Sequence, residues 1–153
     1  MLRHAAILLA LALAHPAAAC TLPAKAKALA AETLAAINAE RQAKRLAPLT
    51  ADPRLTKAAQ AHACDSATRN RMGHDGSDGS DLADRATRAG YAYREIAENV
   101  AQGYASPRSV TQGWMNSAGH RRNILMRNAK EAGMGIAVGP DGDLHWVLKL
   151  GRE

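Results

Sequence analysis

Three side chains have types suited to chemistry: His74, Glu98 and His120. His74 falls in Gly73-His74-Asp75-Gly76-Ser77-Asp78-Gly79-Ser80-Asp81, a loop by composition, where a histidine beside an aspartate serves a turn as readily as a ligand set. His120 opens a helical turn, where bonding to backbone is the ordinary role. Glu98 has apolar neighbours that could bury it as a structural carboxylate. Only if folding brought the three together would two neutral imidazoles and a carboxylate make a partial zinc site, with water in the remaining positions and Glu98 as candidate general base. Catalytic zinc usually has three protein ligands, so this set suits weak, exchangeable binding better than a hydrolytic centre. Residues 74 and 120 are 46 positions apart (120 − 74 = 46), and spacing alone does not bring them together. No His-Glu-x-x-His or Gly-x-Ser-x-Gly occurs. Asp75, Asp78 and Asp81 recur every third residue, whereas a calcium loop needs oxygens at alternate positions and a later glutamate. His62 reads as a packing or capping residue.

The elements that must position these groups are mostly helical. Of 153 residues 47% are hydrophobic, yet mean hydropathy is −0.27, because 35 are alanine, which buries little area. With no Phe, and only Trp114, Trp146, Tyr91, Tyr93 and Tyr104 as aromatics, a bulky aromatic core is excluded. Helices are predicted over 24–47, where Pro48 stops the chain, and from Asp52-Pro53 to about Arg71. A third runs from Leu82 to Ala89 and ends at Gly90, and a fourth starts at Ser106-Pro107 and is interrupted at Gly119 before a turn over 120–126. Met134, Ile136 and Val138 alternate, as do Leu144, Trp146, Leu148 and Leu150, around the turn Gly139-Pro140-Asp141-Gly142: a β-hairpin. Helices followed by antiparallel strands indicate α+β. Asn38 and Arg41 read as structural hydrogen-bonding residues, and Trp146 as core.

The start of the chain and the cysteines bear on compartment. Residues 1–19 read as a secretory signal peptide: a positive start ending at Arg3, an apolar run from Ala5 to Ala14, then Pro16 and a small-residue cleavage site at Ala17-Ala18-Ala19. The remainder, 20–153, reads as one domain, secreted or periplasmic. Cys20 and Cys64 are the only cysteines and are expected to pair as a disulfide in an oxidising compartment; the alternative is lipidation of Cys20 as a lipoprotein anchor. Arg121, Arg122, Arg127 and Lys130 form a basic group near His120. Export and the scarcity of stacking aromatics argue against nucleic acid as its partner, and favour a solvated face or contact with lipid or an anionic envelope polymer.

Five motifs in order carry a family resemblance over about residues 29–151. They are Asn38-Ala39-Glu40-Arg41 with Leu49, Asp52, Leu55 and Ala59; Gly73-His74; Ala97-Glu98-Asn99-Val100-Ala101; Trp114 through Leu125, containing Asn116-Ser117-Ala118-Gly119-His120-Arg121-Arg122-Asn123; and Gly133-Met134-Gly135-Ile136 with His145 through Gly151. Together they resemble the CAP superfamily of cysteine-rich secretory proteins, antigen 5 and pathogenesis-related proteins, in its bacterial secreted branch. The resemblance implies a three-layer α-β-α sandwich with a central antiparallel sheet and a wide cleft. It implies that His74, His120 and Glu98 meet in that cleft, and that the two histidines can hold zinc. The family's second glutamate falls at Ser117, so its acidic pair is incomplete. The expectation is a monomeric exported protein that binds a ligand non-covalently or a metal weakly. The alternatives are a metal-assisted peptidase or cell-wall hydrolase, and a structural or adhesive envelope protein using its basic surface and peripheral membrane contact.

Overall fold

The computed structural model describes residues 20–153; the signal peptide read over 1–19 lies outside them. Five helices and four strands follow in the order α1 (Ala26–Ala43), β1 (Thr50–Ala51), α2 (Pro53–Thr68), α3 (Leu82–Arg88), β2 (Glu95–Gln102), α4 (Pro107–Asn116), α5 (Ala118–Ile124), β3 (Glu131–Val138) and β4 (Leu144–Arg152). The sheet order is β1-β3-β4-β2, antiparallel except for the two-residue β1, which runs parallel to β3. Among the described residues no helix is long and apolar enough to cross a membrane.

The two sheet faces bury different partners. On one face Met134, Ile136, Trp146, Leu148 and Leu150 pack with Ile37 of α1 and Val110 and Trp114 of α4. On the other, Ala137 and Val147 meet Ala59, Ala63 and Ala67 of α2. Alanines let α2 approach closely, and the strand beneath must yield as well. A Cβ on Gly133 would stand 2.1 Å from the backbone of Leu55 and Thr56, and one on Gly135 would stand 2.3 Å from that of Ala59. The Gly-Met-Gly-Ile alternation thus has small residues under α2 and large ones in the opposite core.

Local chemistry sets most helix starts as expected. The Asp52 carboxylate accepts from the amides of Arg54 and Leu55, with Pro53 in the first turn. Asp81 with Asp84, and Ser106 with Ser109, form reciprocal caps on α3 and α4. The helix ends differ from expectation. The first helix ends at Ala43, not at Pro48, because Arg45 turns left-handed (φ 58°) while the amides of Lys44 and Leu46 bond the Arg41 carbonyl. Likewise α2 ends at Thr68, before left-handed Asn70 (φ 46°).

Cys20 and Cys64 form a disulfide that ties the start of the described chain to α2 across 44 residues of sequence. A lipid anchor would need the same Cys20 sulfur, so the two fates exclude one another. Closing a loop of this length is expected to stabilise the fold by roughly 2–4 kcal/mol. Cys64→Ser should lower the urea midpoint by a corresponding amount, and an unchanged midpoint would show the bridge to be unimportant to stability.

Candidate functional site

The site grows from one cross-strand pair. Glu98 on β2 lies directly opposite Lys149 on β4, and both point to the α2 side of the sheet. Their side chains are almost wholly buried (1% and 0% exposed) and form an ion pair. The Arg85 guanidinium on α3 donates to both Glu98 oxygens at 3.2 Å. His74 Nδ1 lies 3.0 Å from Glu98 Oε1, and since a carboxylate only accepts, Nδ1 carries the hydrogen. His62 completes the group: its Nε2 donates to the Gly73 carbonyl at 2.9 Å and stands 3.8 Å from Glu98 Oε1.

This arrangement fixes charge states. Burial alone would raise the Glu98 carboxyl, but Lys149 and the hydrogen bonds to it outweigh that and hold Glu98 below the usual carboxylate range. Burial pushes Lys149 down to about 8, against the pull of Glu98. Burial also lowers His62 and so favours its neutral form. Glu98 is therefore an anion saturated by partners, and a weak proton acceptor. Its role in the geometry is to orient His74.

The loop over 73–81 is held by bonds to α2 and α3. Arg85 donates to the carbonyls of Ser80 (2.6 Å) and His74 (2.7 Å), and Asp65 accepts from the Ser77 amide (3.0 Å). Asp78 is bonded by the Ser80 amide and paired with Arg88, and Asp81 caps α3, so neither carboxylate is free for calcium. On the opposite side, Asn99 donates to the His120 carbonyl (3.0 Å), and Asn123 donates to the Glu98 carbonyl (3.2 Å) and to Asn99 Oδ1 (2.9 Å). These bonds sew α5, and with it His120, to the free edge of β2.

Between loop and helix lies a cleft of about 460 Å³ lined by His74, Asp75, Asp81, Ile96, Glu98 and Asn123 among others. The structure thus brings His74 and Glu98 into contact. His120 stands beside them but outside that lining: burial, and secondly the charge of nearby His74, lower it. Ser117 is half-buried at the start of α5 and makes no capping bond there. Arg121, Arg122, Arg127 and Lys130 are all exposed. Sequence reasoning gave no site role to Arg85, Lys149, Asn99 or Asn123; the signal available was a lysine between Leu148 and Leu150 in the last strand.

A zinc ion, implied by the family resemblance, can be weighed against these donors. His74 spends Nδ1 on Glu98, which leaves Nε2 for a ligand, and His120 is biased to the neutral, metal-binding form. Glu98 has no oxygen to spare. Among the described residues no group of three or more His, Cys, Asp or Glu is placed to hold a metal ion. The side chains on this cleft would offer zinc two imidazoles and no third protein ligand.

The fold and this site define a class. Residues 34–150 match the model of the cysteine-rich secretory protein family, and the chain belongs to this CAP family. It is 38% identical over 98 residues to Bacillus subtilis YkwD, covering 64% of this chain and 38% of YkwD, so it spans well under half of that relative. Among solved structures it resembles an extracellular SCP-domain protein of Bacillus anthracis (TM-score 0.75, 25% identity, 83% of this chain and 41% of that one). An outer surface protein of Borrelia burgdorferi shares the fold (TM-score 0.72, 20% identity, 78% of this chain and 89% of that one).

Proposed function

We propose that this CAP-domain protein acts outside the cytoplasm as a non-covalent binding protein, with its ligand seated in the cleft against His74 and beside His120. The observation that carries this reading is the saturation of Glu98. A buried carboxylate engaged by Lys149, Arg85 and His74 orients an imidazole for binding and has little capacity to take a proton. Ser117, in place of a second acid, removes the other candidate base, so a metal-assisted hydrolase has the weaker support. The disulfide suits an oxidising compartment, and the Bacillus anthracis relative described as extracellular supports export.

Zinc would be held by His74 and His120 with water completing its shell, as a weakly bound and exchangeable ion. Calorimetric titration with zinc chloride is expected to show weak binding that falls about tenfold or more in His74→Ala and in His120→Ala. Unchanged binding in both variants would remove metal from this reading. Turnover of a peptide or peptidoglycan substrate would replace binding by hydrolysis as the function.

A second reading rests on charge. The segment 103–130 contains five cations (Arg108, Arg121, Arg122, Arg127, Lys130) and no Asp or Glu. All five are exposed, and none forms a salt bridge among the described residues. Contact with an anionic envelope surface would use these side chains. Each cation near an anionic membrane contributes about 1 kcal/mol, so Arg121→Ala/Arg122→Ala should weaken binding to phosphatidylglycerol vesicles about thirtyfold at low salt. Equal binding by the double variant would sink this reading.

A further inference from the structure

β2 is an outer strand of the sheet, and two of its residues, Ile96 and Glu98, line the cleft. The Glu98 carbonyl accepts from Asn123 and the Val100 carbonyl from the Trp114 indole, so both face away from β4. Gly103, of the other parity, turns inward and donates to the Leu144 carbonyl. Ile96 opposes Gly151 in the same register as Glu98 opposes Lys149, so its N–H and C=O also face the free edge. α4 and α5 bond this edge at Val100 and Glu98 and make no bond at Ile96. The Ile96 N–H and C=O and the Glu98 N–H thus have no partner among the described residues. An unpaired strand edge is a template for one more extended chain.

The side-chain groups still open in the cleft all accept. His74 gives its Nδ1 hydrogen to Glu98, which leaves Nε2 of the neutral ring as an acceptor. Asn123 spends its amide nitrogen on the Glu98 carbonyl and Asn99 Oδ1, which leaves its own Oδ1. Asp75 is exposed, and Arg69, paired with Asp65, reaches only its backbone carbonyl. Asp81 accepts from the Asp84 amide. Neither Asp75 nor Asp81 forms a salt bridge among the described residues. No lysine or arginine lines the cleft. Acceptors and uncompensated carboxylates call for a cation rich in N–H donors. The open backbone at Ile96 calls for a peptide to carry it. A second copy of the sheet is too broad an occupant, because the loop over 73–81 and α5 flank the edge on either side.

We propose that the ligand of this cleft is a short basic peptide segment, bound extended as an added strand along Ile96 and Glu98. Its lysine or arginine side chain lies against Asp75 and Asp81. This rests on the reading of the cleft as a binding site and names the class of its occupant.

Calorimetric titration of the disulfide-bonded protein with acetyl-Val-Arg-Val-amide at low salt tests this, with amide hydrogen exchange as a second readout. Saturable binding is expected, with the Ile96 and Glu98 amides protected from exchange in the complex. Acetyl-Val-Glu-Val-amide should bind at least about tenfold more weakly, since it sets like charges together. The arginine peptide methylated on its three residue nitrogens should also lose about tenfold or more, because it cannot donate to the edge. n-Butylguanidinium alone should lose at least as much. Asp75→Asn, at an exposed side chain, should weaken the arginine peptide about threefold without moving the thermal midpoint. Absence of saturable binding, equal binding of any of the three other probes, unprotected Ile96 and Glu98 amides, or unchanged affinity in Asp75→Asn would each overturn the proposal. Zinc titration separates it from the reading beneath. Failure of the peptide with His74-dependent zinc binding intact removes the peptide alone, and failure of both removes the cleft as a binding site.

Discussion

Arg41→Lys is expected to cost about 3–5 kcal/mol of stability, a large share of the roughly 5–15 kcal/mol typical of a domain. Arg41 is fully buried, and among the described residues its guanidinium has only carbonyl partners: Ala47 (2.9 Å), Ile124 (2.8 Å), Met126 (2.9 Å) and Ala129 (3.2 Å). Three of these belong to the end of α5 and the segment leading into β3. A helix leaves its last carbonyls without internal partners, and a cation there also meets the favourable end of the dipole. The planar fork spans acceptors from two distant segments at once; an ammonium, a point charge on a shorter reach, does not. Each carbonyl left unpaired in the interior costs about 1–3 kcal/mol. Urea denaturation of Arg41→Lys and Arg41→Met measures the effect. A loss below about 1 kcal/mol in both would show that other contacts hold α5. Because α5 carries His120, the lysine variant should also disturb the cleft.

Glu98→Gln should lose about 3–5 kcal/mol, though it changes a single oxygen to an amide nitrogen. It leaves Lys149 and Arg85 buried without their counter-charge, and removing one partner of a buried pair is far more costly than removing both. Glu98→Gln/Lys149→Met is therefore expected to regain at least half of the loss, since a buried methionine needs no partner. Thermal and urea midpoints of wild type, both single variants and the double variant complete the cycle. If the double variant is as unstable as Glu98→Gln alone, the ion pair is not the source of the effect. Loss of ligand binding or activity in Glu98→Gln would have to be separated from this instability, so His74→Ala is the cleaner probe of the cleft.

Strong local signals were legible. Asp52-Pro53 and Ser106-Pro107 cap helices because a short polar side chain reaches the free amides next to it, whatever the rest of the fold does. The final hairpin showed itself through alternation and a Gly-Pro-Asp-Gly turn. β2 gave no such pattern. Both of its faces are covered, and Glu98 and Asn99 are buried on opposite sides, so polar and apolar residues do not alternate. β1 has two residues, too few for any periodicity, and Asn38 pins the chain just before it through both backbone groups of Leu49.

The chain's order of residues settled the helical composition, the caps and the motifs that mark its family, because each depends on neighbours in sequence or on residue type. Which charges meet was decided only by folding. Lys149 reads as the polar face of a strand until α2 is laid over it, and Arg85 reads as a surface helix residue until α3 docks beside β2. Coulomb energy and desolvation depend on distance through space and on exclusion of water, and neither quantity exists before the layers close around Glu98.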